Sequence, residues 1–302
     1  MCDTCGCSDT NSVRITRPGD HPTGHGDSIE ENNSHAHDHH HLREHDHGHH
    51  HHDREDHHHH HLHKHDHEYD PEHDRKPEQS NSRTIEIKED ALSQNTLRAH
   101  RNRELLKKRG IFALNLVSSP GSGKTSLLEK TIHDLKDRWP LFVIEGDQQS
   151  MNDANRIDAA GAPVIQINTG SGCHLDAAMV SSAIGQLQPE NNSLLFIENV
   201  GNLVCPALFD LGESRRIVII SVTEGDDKPL KYPGMFSSAD LCIINKTDLL
   251  PYVSFDMDRA REYARRARPG IEFIETSVSA GTGIDKWYDW LENNKPDQPG
   301  NR

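Results

Sequence analysis

Apolar and polar residues recur with two alternating periods between residues 111 and 292. Short apolar runs predict strands, and longer segments with an apolar residue every three or four positions predict helices. This rhythm indicates an α/β domain with a mostly parallel sheet flanked by helices. The predicted strands are 111–117, 141–145, 164–168, 193–198, 217–222, 241–245 and 272–276, and the predicted helices are 124–138, 152–160, 174–187, 256–267 and 284–292.

Two further elements are predicted ahead of this region. Residues 84–87 alternate polar and apolar side chains, which predicts a short strand. Residues 90–108 carry leucines at helical spacing and predict a helix that ends at Gly110. Ordered structure is therefore expected to begin near residue 82.

A glycine-rich stretch, SSPGSGKT at residues 118–125, joins the strand at 111–117 to the helix that follows. This arrangement is typical of a P-loop, whose backbone N–H groups and helix N-terminus hold phosphates. Ser118 stands where the usual pattern has glycine, and a polar turn is the alternative interpretation. The predicted nucleoside triphosphate site consists of Pro120, Gly121, Ser122, Gly123, Lys124, Thr125 and Ser126.

A second motif indicates which base is bound. Residues 245–248, Asn-Lys-Thr-Asp, follow an apolar strand and have the form that reads guanine in GTPases. The Asp248 carboxylate can accept hydrogen bonds from the ring N–H and the amine of guanine, a donor pair that adenine lacks. We predict GTP binding through Asn245, Lys246 and Asp248, with Ser277 as a further candidate. A surface turn or an ATP-dependent P-loop kinase is the alternative.

Acidic residues at strand ends are candidates for holding Mg²⁺. Thr125 can supply a hydroxyl ligand, and Asp147 and Glu198 can supply carboxylates directly or through water. The alternative is that both acids cap turns. Lys124 and Asp147 are the candidates for a catalytic role. Because Asn202 stands where a glutamine could orient water, slow intrinsic GTP hydrolysis is predicted.

Soft metal ligands lie in two segments of the same domain. Cys173 and His174 open the helix predicted over residues 174–187, and Cys205 follows the strand that ends at Glu198. Two thiolates and an imidazole can form a three-ligand metal site. Cysteine is also a common buried apolar residue, which is the alternative here and our interpretation of Cys242.

The N-terminal region carries two further metal-binding patterns. Cys2, Cys5 and Cys7 can wrap one Ni²⁺, Cu²⁺ or Zn²⁺ ion together with the terminal amine, whereas a frayed tail with incidental thiols is the alternative. Residues 35–73 mix histidines with acids, a composition that predicts disorder and a store of weakly held metal ions. The predicted organisation is a Cys motif at 1–8, a disordered linker at 9–81 and a GTPase domain at 82–302.

Composition limits the class of partner. The chain has 302 residues and a formal charge of −15 with its 25 histidines neutral, and no basic face suited to nucleic acid stands out. No apolar run reaches the length of about 18 residues that a membrane span needs, and no signal peptide is visible. We therefore expect a cytoplasmic protein, in which clustered thiols stay reduced and bind metal.

Together these motifs resemble the hydrogenase nickel-incorporation GTPases, the HypB family. The resemblance spans about residues 82–291 and the N-terminal Cys motif, and Ser118 is common in that family. It implies a P-loop NTPase of the SIMIBI type. The segments that carry it are 1–7, 118–125, 145–149, 172–175, 198–206 and 245–248.

The resemblance also implies ligands and partners. It implies a tight nickel site at the N-terminal cysteines with the terminal amine, and a weaker nickel or zinc site at Cys173, His174 and Cys205. It implies a GTP-dependent homodimer, a second nickel-binding maturation protein and the hydrogenase large subunit as partners. The expected function is a GTP-hydrolysing metallochaperone that stores and delivers nickel for [NiFe]-hydrogenase. A urease-type nickel-insertion GTPase or a nickel/zinc storage protein is the alternative.

Overall fold

The computed structural model describes residues 13–19 and 78–296, apart from residues 149 and 171, and for residues 78–89 it describes the backbone. The predicted Cys motif at Cys2, Cys5 and Cys7 and the His-rich tract at residues 35–73 lie outside the described residues. Within the part of the chain that is described, no helix is both long enough and apolar enough to cross a membrane.

A mostly parallel sheet forms the centre of the domain. Its strands in the described residues are β1 (Arg14–Thr16), β2 (Phe112–Ser118), β3 (Leu141–Asp147), β4 (Val164–Asn168), β5 (Leu194–Glu198), β6 (Arg215–Ser221), β7 (Leu241–Asn245) and β8 (Glu272–Glu275). Their spatial order is β1-β4-β3-β5-β2-β6-β7-β8. Strand β1 is antiparallel to β4, and the other neighbouring pairs are parallel.

Helices cover both faces of this sheet. They are α1 (Glu78–Lys108), α2 (Lys124–Leu135), α3 (Asn152–Ala160), α4 (Ala177–Leu187), α5 (Lys228–Lys231), α6 (Pro233–Ser238), α7 (Met257–Ala267) and α8 (Ile284–Asn294). Short 3₁₀ helices lie at Cys205–Leu208, Val222–Glu224 and Thr247–Tyr252. The seven strands predicted from residue 111 onward are all present, with ends that differ by a few residues.

The central strands are continuous apolar runs because both of their faces are buried. Every residue of β2 is buried. Leu114 and Leu116 belong to the same apolar cluster as residues of α2 and α8, and Ala113 belongs to a cluster with residues of α1 and α4. Because β2, β3, β5 and β7 run in parallel, their carboxyl ends lie along one edge, where ligands of such sheets bind.

The predicted strand at residues 84–87 is wrong, because these residues belong to the 31-residue helix α1. Four alternating residues fit a helical turn as well as a strand, and no glycine or proline stops a helix between residues 78 and 108. The predicted linker over residues 9–81 contains regular structure near both ends, since β1 and the first turn of α1 lie inside it. Ile15 in β1 pairs with Ile167 of β4 and packs on the core beside α4.

The helix predicted over residues 174–187 begins three residues later, at Ala177. Asp176 sets this start, because its carboxylate accepts hydrogen bonds from the N–H groups of Ala178 and Met179, both at 2.8 Å. Cys173 and His174 therefore lie in the loop before α4, not in its first turn.

Candidate functional site

The P-loop follows β2 and wraps the N-terminus of α2. Gly121 and Gly123 have φ angles of 76° and 100°, which glycine adopts without strain. A Cβ at Gly123 would also lie 2.4 Å from Nδ2 of Asn245, so the close approach of the base motif requires glycine. Lys124 folds back and donates from Nζ to Ser118 Oγ at 2.9 Å. The residue that departs from the usual pattern, Ser118, thus holds the lysine that is predicted to bind phosphate.

The base motif is tied to the P-loop by direct hydrogen bonds. Asn245 donates from Nδ2 to Ser122 O at 2.9 Å, and Lys246 donates from Nζ to Gly121 O at 2.6 Å. Ser277 donates from Oγ to Asp248 Oδ1 at 2.5 Å, which orients this carboxylate. The predicted base residues and the predicted phosphate residues therefore form one connected site.

A pocket of about 460 Å³ lies between the P-loop and the ends of β3 and β5. This volume lies within the range of small-molecule sites. The residues that line it include every predicted phosphate and Mg²⁺ residue, and one predicted base residue, Lys246: Pro120, Gly121, Ser122, Gly123, Lys124, Thr125, Ser126, Asp147, Glu198 and Lys246.

Carboxylates crowd the floor of this pocket. Glu145 on β3 and Glu198 on β5 are register partners, so their side chains lie side by side. Glu198 accepts from Thr125 Oγ1 at 2.7 Å, and burial raises the pKa of Glu198 while Lys124 and Thr125 oppose that change. Burial, reinforced by the charge of Glu198, raises the pKa of Glu145 to about 9.

These acids fit a hard divalent cation. Among the described residues, Oε2 of Glu145 and Oε2 of Glu198 are buried without a hydrogen-bond partner. Unpartnered carboxylate oxygens beside a threonine hydroxyl are a donor set that Mg²⁺ prefers. Asp147 behaves differently in this state: it accepts from Ser150 N at 3.0 Å and from Ser150 Oγ at 2.7 Å, so it caps the turn before α3.

The predicted soft ligands converge although they come from separate segments. Each of Cys173, His174 and Cys205 offers one ligand atom, and these three atoms lie within 4.8 Å of one another. Sulfur and nitrogen ligands at bond lengths of about 2.0–2.3 Å can share one ion at such spacings. Cys242, in contrast, is buried in β7, where burial raises the pKa of its thiol, as expected for a core residue.

The imidazole of the cluster is held in place by packing. His174 is 5% exposed, and its ring stacks on Phe209 with centroids 3.9 Å apart and an interplanar angle of 24°. Burial lowers the pKa of His174, which favours the neutral imidazole that binds metal. A neutral nitrogen beside two sulfurs suits Ni²⁺ or Zn²⁺.

Comparison with known proteins gives the family. The nucleotide-binding domain described as CobW/HypB/UreG matches residues 112–275. A hydrogenase maturation factor HypB from Rhizobium leguminosarum bv. viciae is 56% identical over 216 residues, 72% of either chain. The chain belongs to the HypB family. The same factor from Escherichia coli K12 is 54% identical over 219 residues, which cover 72% of this chain and 76% of the relative.

Solved structures of HypB proteins have the same fold. HypB from Archaeoglobus fulgidus matches with a TM-score of 0.63 and 38% identity, over 68% of this chain and 100% of that one. A HypB from Helicobacter pylori in complex with nickel matches with a TM-score of 0.62 and 38% identity, over 68% and 99%. The predicted fold class, a SIMIBI-type P-loop NTPase with a mostly parallel sheet flanked by helices, is confirmed.

The sequence analysis of this HypB-family chain missed Glu145. The signal was present, since Glu145 is an acid at the end of a buried apolar strand, directly before Gly146 and Asp147. Its position beside Glu198 depends on β3 being the neighbour of β5, and strand order cannot be read from local periodicity.

Proposed function

We propose that the protein is a GTP-hydrolysing nickel metallochaperone that stores nickel and delivers it for maturation of [NiFe]-hydrogenase. One observation carries this proposal: the segment that starts at Glu198 in the phosphate pocket ends at Cys205 in the soft-ligand cluster. A change at the phosphates can therefore act on a metal site. Relatives named hydrogenase maturation factors, and a relative crystallised with nickel, support the same function.

In the proposed nucleotide site, the P-loop N–H groups hold the phosphates and Lys124 leaves Ser118 for the outer phosphates. Asp248, supported by Ser277, accepts from guanine. Thr125, Glu198 and, once its turn opens, Asp147 would hold Mg²⁺. When bound, Mg²⁺ neutralises phosphate charge.

We propose slow intrinsic hydrolysis. The Asn202 side chain donates to Cys173 O at 3.4 Å and accepts from Val204 N at 2.8 Å, so its amide is directed to the metal segments and not to an attacking water. Slow hydrolysis suits a switch that must hold one state until a partner arrives.

In the proposed cycle, nickel held by the N-terminal cysteines and the histidine tract reaches Cys173, His174 and Cys205, where Zn²⁺ can also bind. GTP binding favours a homodimer, and hydrolysis changes the cluster so that nickel passes to a second nickel-binding maturation protein and on to the hydrogenase large subunit. The proposed location is the cytoplasm.

Nickel transfer measured under defined nucleotide tests the proposal. Transfer of Ni²⁺ from the full chain to an apo-hydrogenase large subunit should depend on GTP and should fail in Lys124→Ala. Removal of residues 35–73 should leave transfer intact when nickel is plentiful, whereas a protein that only stores metal would lose its function. Equal transfer with GTP, with GDP and without nucleotide would contradict the proposal.

A further inference from the structure

The soft-ligand cluster is built from two segments that the fold must keep in register. Cys173 and His174 lie in the loop before α4, and Cys205 begins the 3₁₀ helix at Cys205–Leu208. The distance between the two sulfur atoms therefore depends on contacts between the segment 198–205, which we call the linking segment, and the loop 172–175. Small displacements matter because metal–ligand bonds tolerate only about 0.2 Å.

The linking segment contacts the P-loop at two points. Glu198 accepts from the Thr125 hydroxyl, as described above. Gly201 lies against Pro120, so closely that a Cβ at Gly201 would be 3.0 Å from Pro120 Cγ. Gly201 also lines the pocket beside the P-loop, so a phosphate group bound there would contact this part of the segment.

Two asparagines of the linking segment, Asn199 and Asn202, each follow one of these contact residues and form hydrogen bonds with the loop 172–175. Asn199 Oδ1 accepts from Leu175 N at 3.2 Å. This side chain is 1% exposed, and its Nδ2 donates to Asn115 Oδ1 at 3.3 Å. The backbone N–H of Asn199 donates to Leu116 O of β2 at 3.0 Å. Asn199 therefore moves with the sheet and serves as an anchor.

Asn202 has the opposite character. It is partly exposed, and its Nδ2 donates to Cys173 O, in the loop 172–175, at 3.4 Å. Its Oδ1 accepts from Val204 N, the residue before Cys205. The Asn202 amide thus bonds the carbonyl of Cys173 and the N–H of the residue next to Cys205. Asn202 directly follows Gly201, the residue that contacts the P-loop.

We infer that Asn202 is the positioning residue that transmits nucleotide state to the metal cluster. Displacement of Gly201 by the terminal phosphate moves Asn202 relative to the anchored Asn199, and this changes the spacing between the ligand-bearing segments. The inference rests on the proposed function, since it names the residue through which that function is regulated.

The experiment uses the full chain and reads the cluster residue by residue. Ni²⁺ is titrated with a non-hydrolysable GTP analogue or with GDP, and protection of Cys173 and Cys205 from iodoacetamide is quantified by peptide mass spectrometry. In the wild type, the two Ni²⁺ midpoints should differ by about fivefold or more, the lower range of allosteric coupling.

Asn202→Asp keeps an acceptor for Val204 N and removes the donor to Cys173 O. Asn202→Ser also removes the amide Nδ2 that reaches Cys173 O, and leaves a hydroxyl on a side chain one bond shorter. Both variants should still bind nucleotide and should still be protected by Ni²⁺. The ratio of their Ni²⁺ midpoints in the two nucleotide states should be close to one, the value expected without coupling. Asn191→Asp, an exposed asparagine whose side chain bonds Arg109, is the matched control and should keep the wild-type ratio.

The outcomes separate two failures. A wild type without nucleotide dependence would overturn the proposed function itself. A wild-type ratio retained in both Asn202 variants would overturn the inference alone, and so would an equal loss of Ni²⁺ protection in both nucleotide states, which indicates only structural support. The Gln148→Glu variant tests another route, the 3.3 Å hydrogen bond from Gln148 Nε2 to Gly172 O. If the ratio of the two Ni²⁺ midpoints falls to one in Gln148→Glu but not in the Asn202 variants, coupling runs through Gln148, and the inference about Asn202 is overturned as well.

Discussion

Replacing Glu145 with glutamine should stabilise the nucleotide-free and metal-free protein, and the gain should increase with pH. Glu145 is 2% exposed and lies beside Glu198. Burial and that neighbouring charge raise the pKa of Glu145 from 4.5 to about 9. Between these values the folded state keeps a proton that the unfolded state releases. The stability that Glu145 contributes is therefore complete below its unfolded pKa and is lost as pH rises toward its folded pKa.

The magnitude follows from linkage. Each pH unit between the two pKa values lowers the free energy of unfolding by about 1.4 kcal/mol relative to a side chain that cannot ionise. Glutamine resembles the neutral acid in shape, and the folded wild type is itself neutral at Glu145 in this range. From about pH 6 to about pH 8 the advantage of Glu145→Gln should therefore grow by about 2.7 kcal/mol.

Urea unfolding followed by circular dichroism, with EDTA present, measures the gap in free energy of unfolding between Glu145→Gln and the wild type. A change of this size should move the difference between the two midpoints by roughly 1 M urea. Glu190→Gln replaces an exposed carboxylate and is the control, with a gap that stays flat across pH. A flat gap for Glu145→Gln would refute the reasoning, because it would mean that the folded protein ionises Glu145 as readily as the unfolded chain.

Three further changes test other parts of the site. Asp248→Asn should weaken GTP binding by about a hundredfold, because one hydrogen bond to a charged group, about 1.5 kcal/mol, is lost and the new NH₂ faces a guanine donor at a similar cost; calorimetry that gives wild-type affinity would contradict the guanine assignment. In native alkylation with iodoacetamide, Cys242 should stay unmodified because burial raises the pKa of its thiol, whereas Cys173 and Cys205 should react and be protected by Ni²⁺; early labelling of Cys242 would argue against its core position. Asp176→Ala removes a helix cap and should cost about 1 kcal/mol of stability, and an unchanged thermal midpoint would show that α4 does not need this cap.

Local patterns predicted much of the fold and the nucleotide site. Apolar runs and helical spacing located the seven strands after residue 111. The motifs SSPGSGKT and Asn-Lys-Thr-Asp identified two segments that the structure joins by hydrogen bonds, since each motif carries its chemistry in consecutive residues. What depends on distant pairing was missed. Strand β1 has three residues, and its partner Asn168 lies more than a hundred residues away in the chain.

The same limit applies to the site. That Glu145 neighbours Glu198 follows from strand order, and that Asn202 bonds Cys173 follows from two loops meeting above the sheet. The convergence of Cys173, His174 and Cys205 was predicted because a thiol and an imidazole stand side by side in the sequence and a second thiol follows a neighbouring strand, but the stacking of His174 on Phe209 carried no sequence signal.

Native mass spectrometry of the full chain with Ni²⁺ and either a non-hydrolysable GTP analogue or GDP tests the central claim, that nucleotide state controls the Cys173, His174 and Cys205 cluster. The predicted result is a different number of nickel ions per chain in the two nucleotide states, and the loss of that difference when both Cys173 and Cys205 are replaced by serine. The same nickel count with both nucleotides, in the wild type as in the double variant, would contradict it.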